Sequence, residues 1–583
     1  MITLTIDGRQ VRVPEGTSVL DACREAQIVI PTLCKHPDLQ ATANCGVCVV
    51  KINGRMLRAC CTPVVEGMQI ITHDSDIVKA RKTIVELILS DHPNDCLSCL
   101  KNGNCELQNL AKELSLDNQT FENITPNEKE SPLDNSTGCI QIDSRKCIQC
   151  GRCVQVCQNI QNIYALSSLH RGIKTRIAPA GGVSLADSPC IKCGQCSAHC
   201  PTGAIMELDE TKKVLSYLQD PKKYCVVQIA PAVRVAIGEA FGYESGTLLT
   251  GKIYAALRRM GFQAVFDTNF GADLTIMEEG SEFVKRFTTA PETLPLITSC
   301  CPAWVDYLEK VGHDMISHFS TAKSPQAMLG ALAKTYYADK VGVKPEDMIV
   351  ISVMPCTAKK WEIKRSKEMF HGGHQDIDVS LTTRELVRLI KQMGIDFKAL
   401  PEEQADSPLG AYTGAATIFG FSGGVMEAAL RTANFLMTGK ELQNLEFDQI
   451  TDLNEGAKEM TLNIQNREIR VAVAHGIKNV ETILEKVRRA KANGEKSPYD
   501  FIEVMACVGG CVGGGGQPLG TTRTVRLARQ AGLKAEDRKA PLRCSHQNPD
   551  IQKLYKDFLG APLSEKSEEL LHTHYTARPL YRK

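Results

Sequence analysis

Cysteine is the residue whose number and spacing ask for a chemical reason. There are 25 in 583 residues, and most stand in tight groups. Cys147, Cys150, Cys153 and Cys157 form one run, and Cys190, Cys193, Cys196 and Cys200 repeat it. Cys45 and Cys48, like Cys96 and Cys99, are separated by two residues. That separation suits thiolates sharing a metal better than thiols pairing across a fold, and a long chain without a secretory signal is not the setting of a disulfide framework. The chemistry to expect is metal chemistry.

The 190–200 run, ending in Cys200-Pro201, has the C-x2-C-x2-C-x3-C-P spacing of bacterial ferredoxins, and the 147–157 run matches it except for Gln158 in the proline position. The resemblance implies two 4Fe–4S clusters, each drawing its fourth ligand from the other run. One takes Cys147, Cys150, Cys153 and Cys200; the other takes Cys157, Cys190, Cys193 and Cys196. Two zinc sites would space their ligand pairs more widely.

Upstream, Cys34-x10-Cys45-x2-Cys48-x11-Cys60 resembles a plant-type 2Fe–2S ferredoxin with a longer first gap. It is closer to the N-terminal domain of hydrogenases and of the large iron–sulfur subunit of complex I. Cys61 adjoins Cys60, so either can be the fourth ligand. Next comes His92-Pro-Asn-Asp-Cys96-x2-Cys99-x5-Cys105, one thiolate short of a cubane. Its pattern resembles the cluster with one histidine and three cysteine ligands in the same two families, which implies His92 as the fourth ligand. A nitrogen ligand makes such a site less negative. These groups amount to three accessory 4Fe–4S clusters and one 2Fe–2S cluster, a wire that carries single electrons.

Three later loops decide what the wire serves: TSCCPAW (298–304), MPCTAKKWE (354–362) and EVMACVGGCVGGGG (503–516). Cys301, Cys356, Cys507 and Cys511 suffice for one more cubane, although any single loop reads equally well as a buried cysteine at a strand end. Together the loops resemble the three signatures of FeFe hydrogenases, and the four upstream motifs occur in the order of the large clostridial-type enzymes. The resemblance implies that those four cysteines hold the 4Fe–4S part of an H-cluster. Cys511 would also bridge to a two-iron subsite bearing CO, cyanide and an azadithiolate, installed by maturation enzymes. Lys359 would donate to a cyanide, Met354 and Met505 would pack on the subsite, and Gln326 would line it. Protons would leave through Cys300, Glu279, Ser320 and Glu282. Without the resemblance, Glu279 and Glu282 read as a solvated helix face. No Gly-Lys-Ser/Thr follows the 513–516 glycines, so they read as room for close backbone approach to the cluster rather than a phosphate loop. Cys23, Cys61, Cys139, Cys225 and Cys544 remain as buried free thiols.

The elements that must position these groups follow from pattern. Residues 2–13 alternate about Asp7-Gly8, a hairpin signal, and a helix follows from Thr17 or Ser18. Residues 79–114 read as helices around the His92 loop, and 115–137 as a polar linker. From 220 to 545, apolar strands (YCVVQIA, DMIVISVMP, REIRVAVA, FIEVMAC) alternate with amphipathic helices, with functional loops at strand ends. The expected fold is multidomain α+β and α/β. A β-grasp 2Fe–2S domain (1–78) leads to the histidine-ligated 4Fe–4S segment and linker (79–138), then a two-cluster ferredoxin-like domain (139–209). A two-lobed α/β H-cluster domain with a C-terminal tail (210–583) completes it.

A net charge of +1 argues against nucleic acid as a partner, and the absence of a long apolar run argues against a membrane span, so a cytoplasmic protein is expected. A non-catalytic conduit would lack the three loops, a hydrogen sensor tends to replace Cys300, and an assembly factor would not keep the whole set. Neither GxGxxG after a strand nor a P-loop is present. The length and the HTHYTARPLYRK tail look like the hydrogenase subunit of NAD(P)-linked, electron-bifurcating complexes. There, flavin- and NAD(P)-binding and 2Fe–2S partner subunits, with ferredoxin, would exchange electrons. A stand-alone ferredoxin-dependent hydrogenase is the other reading.

Overall fold

The computed structural model describes residues 1–93, 95–116, 121, 133–464 and 467–581. Ile2–Ile6 and Arg9–Val13 form the expected hairpin, and Asp7 and Gly8 both take positive φ (47° and 78°), which a tight two-residue turn requires. Gln69–Ile71 adds parallel to the first strand, and Val49–Ile52 and Arg55–Arg58 complete a five-stranded sheet. Helix Val19–Glu25, capped by Ser18, packs Leu20 and Cys23 against Leu4, Ile6 and Val50.

Asp74 starts the next helix, Ser75–Ser90, by accepting from Ile77 N at 2.8 Å, four residues before the pattern suggested. Cys105 precedes helix Glu106–Glu113. Most of the expected 115–137 linker lies outside the described residues; Leu133–Asp134 within it pairs with Ile140–Asp143.

The two ferredoxin-like runs repeat in conformation as well as in sequence. Gln149 and Lys192 share left-handed φ (54° and 59°), as do Gly151 and Gly194 (79° and 71°). Each glycine opens a short helix, Arg152–Gln155 or Gln195–His199. Where Gln158 replaces proline, the first run continues as the π-turn Val156–Ile160, which a proline's missing N–H and ring would disrupt.

The catalytic region holds two sheets. In one, Ala264–Asp267, Tyr224–Ile229, Met348–Met354 and Val379–Thr382 lie parallel in that order. In the other, Leu296–Ile297, Phe501–Met505 and Arg467–His475 are parallel, and Ala457–Ile464 adds an antiparallel edge. Helix Thr268–Thr289 runs between packed layers. Helix Arg523–Lys539 crosses the outside, where Arg529 donates to Val512 O (2.6 Å) and Arg526 pairs with Asp38 of the N-terminal domain (2.7 Å). Among the described residues no helix is long and apolar enough to cross a membrane.

Candidate active site

Parallel strands deliver their following loops to one edge, and here two sheets deliver to the same place. Met348–Met354 leads to Cys356, Leu296–Ile297 to Cys301, and Phe501–Met505 to Cys507 and Cys511. These four cysteines line one cavity of about 80 Å³, walled otherwise by groups such as Ala230, Pro231, Phe419, Met354 and Met505. Cys300, Gln326 and Lys359 contribute its polar lining.

The thiols crowd one another. Burial pushes Cys356 up to about 12, with the Cys301 thiol adding to it. Burial likewise raises Cys507, with Cys356, Cys301 and Cys511 all contributing. Four such groups cannot ionise together unless a cationic centre holds them as thiolates. An all-sulfur donor set, clustered in an apolar cavity larger than one ion needs, fits an iron–sulfur centre with space beside it.

Lys359 is 8% exposed. Its Nζ donates to Glu362 at 2.8 and 3.0 Å and to Cys300 O at 3.2 Å. Burial opposes its charge, but Glu362 and the nearby thiols outweigh burial and hold its pKa above the usual lysine value. Ser324 and Gln326 each donate to Glu362 Oε2 at 2.8 Å. Glu362 therefore aims the lysine; it stood in the MPCTAKKWE motif, but its role was not read there.

Cys300 starts a polar file leading away from the cavity. Its thiol is raised by burial and then by the neighbouring Glu279 carboxyl. Glu279 is pushed up to about 8, chiefly by burial and further by the Glu282 and Glu503 charges, against a hydrogen bond with Ser320. Ser320 Oγ donates to Glu282 Oε2 at 3.0 Å, and Glu282 pairs with Arg286 at 2.6 Å. Arg286 continues to Phe319 O at 2.9 Å. Glu279 and Glu282 are 1% and 7% exposed, so the solvated-face reading fails. Their helix is packed on nearly all sides, leaving no polar face for a periodicity argument to find.

The glycines after Cys511 allow close packing of backbone on backbone. A Cβ on Gly515 would overlap the carbonyl of Cys193, and one on Gly514 would overlap that of Pro355. The ferredoxin-like loop is thereby seated on the cavity wall. Gln195 Nε2 donates to Gly513 O at 2.9 Å, and Cys507 is the thiol whose charge Cys193 feels most.

Cys147, Cys150, Cys153 and Cys200 line one small cavity. Cys157, Cys190 and Cys193 all raise, or are raised by, their neighbours in the second group, with Cys196 at its centre. In the N-terminal domain the Cys34 sulfur contacts Cys45 and Cys60, and Cys48 contacts Cys60. Cys61 points away, 3.7 Å from Arg58 O, and is exposed rather than buried as expected. Cys23, Cys139, Cys225 and Cys544 are buried.

Both upstream groups adjoin the Cys147 cavity. Arg152 donates to Lys35 O and Thr42 to Cys150 O, each at 3.1 Å. The rings of His36 and His199, neighbours of Cys34 and Cys200, lie 4.6 Å apart, a contact that no local pattern announced. From the other side, Lys101 donates to Cys200 O at 2.8 Å, and Cys99 Sγ lies over Gly203. Cys96 is exposed and Cys105 half-buried, while His92 Nδ1 lies 3.0 Å from Pro93 O.

Residues 223–515 match the C-terminal domain of the iron-only hydrogenase large subunit, and 523–578 match the iron hydrogenase small subunit. A 2Fe–2S binding domain matches 1–75, the iron–sulfur binding region of NADH-ubiquinone oxidoreductase-G matches 81–120, and a 4Fe–4S dicluster domain matches 146–204. The chain is 47% identical to the NADP-reducing hydrogenase subunit HndD of Solidesulfovibrio fructosivorans, over 99% of each chain. It is 38% identical to iron hydrogenase 1 of Clostridium pasteurianum, over 99% of this chain and 100% of that one. An apo FeFe-hydrogenase HydA1 variant from Chlamydomonas reinhardtii superposes with a TM-score of 0.57 at 41% identity, covering 64% of this chain and all of that one. The thiol-lined cavity, the buried lysine and the whole-length likeness agree: the chain belongs to the iron-only (FeFe) hydrogenases, as a large catalytic subunit.

Proposed function

We propose that this subunit catalyses reversible conversion of hydrogen to two protons and two electrons at the cavity between the two sheets, and that its four other cysteine groups carry the electrons to partner subunits. The observation that carries the reading is the shared cavity of Cys301, Cys356, Cys507 and Cys511, with Lys359 in its wall and a polar file beginning at Cys300. When bound, the H-cluster supplies redox-active iron and a pendant base at which hydrogen is split heterolytically. Cys301, Cys356, Cys507 and Cys511 would hold it. Met354, Met505 and Phe419 exclude water. Lys359, held by Glu362, would donate a hydrogen bond to the bound group, and Gln326 closes the wall. Cys300, Glu279, Ser320 and Glu282 would pass the proton outward, with Glu279 beside Cys300 and Ser320 donating to Glu282 at 3.0 Å, the separation that general acid–base transfer needs.

Cys157, Cys190, Cys193 and Cys196, of which Cys193 adjoins Cys507, would hold the first electron carrier, and Cys147, Cys150, Cys153 and Cys200 the next. From there two branches are available, the 2Fe–2S cluster of Cys34, Cys45, Cys48 and Cys60, and the cluster of His92, Cys96, Cys99 and Cys105. Two surface branches suit a subunit that serves two partners. Flavin- and NAD(P)-binding subunits with their own 2Fe–2S cluster, and ferredoxin, are the partners proposed, in an electron-bifurcating complex. The name of one relative, an NADP-reducing hydrogenase subunit, supports the NADP link and the presence of further subunits.

Native protein purified without oxygen tests the reading. FMN and co-purifying nucleotide-binding chains are expected. A lone flavin-free chain that reduces ferredoxin with hydrogen would establish the stand-alone enzyme instead.

A further inference from the structure

The end of the chain lies against the proton file. Residues 571–573 run antiparallel beside 321–323: Lys323 N donates to Leu571 O and Thr573 N to Thr321 O, both at 2.8 Å, and Ala322 bridges His572. Two residues on, Tyr575 turns its ring onto Phe319, with centroids 5.0 Å apart. Its hydroxyl donates to Ser320 O at 3.1 Å and reaches the Ser299 side chain. Arg365 pins the segment from outside, donating to Thr573 Oγ1 at 2.6 Å and to His574 O at 3.0 Å, and stacking 4.9 Å from the Tyr575 ring. Arg578 donates to Glu309 at 2.8 Å.

Ser320 sits in neither helix nor strand, between the turn His313–His318 and helix Pro325–Leu332. Its placement therefore depends on tertiary contacts. Ser320 N donates to Ile297 O at 2.9 Å on the inner side, and Tyr575 holds its carbonyl on the outer side. A partly buried phenol needs a partner, and this one takes the backbone of the residue whose hydroxyl joins Glu279 to Glu282.

We infer that Tyr575 is a positioning residue for proton transfer: through the Ser320 carbonyl, the C-terminal segment fixes the Ser320 hydroxyl between the two glutamates. The inference rests on the relay proposed above. Proton transfer tolerates little play, because the heavy atoms must stay about 2.6–3.2 Å apart.

Tyr575→Phe keeps the ring, the Phe319 contact and the Arg365 stacking, and removes only the hydroxyl. In the loaded enzyme, viologen-driven hydrogen evolution is expected to fall roughly tenfold, less than the 10²-fold a 1 Å misplacement can cost. The solvent isotope effect should rise, while cluster EPR signals and iron content stay unchanged. Hydrogen–deuterium exchange of 318–324 should quicken, a readout independent of turnover. A variant matching wild type in rate, isotope effect and exchange overturns the inference. So does a variant that melts earlier but keeps the wild-type isotope effect, because that is a purely structural tail. Glu282→Gln measured alongside separates the two failures. If it too is fully active, the relay itself is wrong; if it is slow while Tyr575→Phe is not, only the positioning role falls.

Discussion

Replacing Glu279 by Gln makes two opposite predictions from one environment. The carboxyl is held at about 8 rather than 4.5, so at pH 7 roughly nine in ten copies carry the proton. A group that titrates near the working pH can both take and give a proton, and removing such a group costs about 10²–10⁴-fold in rate. Glutamine keeps the shape and loses the titration, so hydrogen evolution from reduced viologen should fall by that factor. Stability should move the other way. The folded state keeps the proton while the unfolded chain releases it above about 4.5, so this carboxyl's contribution is fully present below that pH. It is lost as pH rises toward 8, at up to about 1.36 kcal/mol per pH unit. Glutamine has no such loss, so between pH 5 and 8 the variant should gain up to about 4 kcal/mol on wild type, an upper figure because Glu282 and Arg286 relax around the charge. Scanning calorimetry without oxygen at one fixed scan rate should show an apparent Tm advantage for the variant that widens with pH and levels off above 8. A rate above half of wild type refutes the relay, and a Tm difference that does not change with pH refutes the raised pKa.

Three further outcomes are expected. Cys60→Ser should abolish the 2Fe–2S EPR signal, whereas Cys61→Ser should keep it and alter stability by no more than about 0.5 kcal/mol, since that thiol is exposed; loss of the signal in Cys61→Ser would reverse the ligand assignment. Glu362→Gln removes the charge partner of buried Lys359, and thermal or denaturant unfolding should register a loss of about 3–5 kcal/mol along with lower activity; an unchanged midpoint would mean the lysine is held by other groups. Gly515→Val drives a side chain into the Cys193 carbonyl, so it should destabilise by roughly 1–3 kcal/mol and slow electron exchange between the ferredoxin-like clusters and the cavity, measured by reduction kinetics at unchanged iron content.

Local spacing determined what local geometry controls. A CxxC loop places two thiols close together with no help from distant chain, so the two ferredoxin-like runs could be read from spacing, as could the hairpin at Asp7-Gly8; their crossed ligand sets came from the ferredoxin resemblance. The catalytic motifs were legible as motifs, and the expectation that they meet came from the family resemblance, not from any local pattern. Cys301 and Cys356 follow strands of different sheets, and only the packing of those sheets makes one cavity of them. Cys60 rather than Cys61 faces Cys34 because a short turn rotates adjacent side chains apart, which spacing cannot distinguish. Glu279 and Glu282 looked solvated because a helix buried on nearly all sides carries no amphipathic signal. Tyr575 lies 255 residues from Ser320 in sequence, and a single phenol in a polar tail has no pattern at all. The sequence by itself named the metal chemistry. Tertiary structure decided which side chains meet around the cavity and which lie in the polar file beside it, because burial and long-range contact are properties of the packed chain and not of any segment.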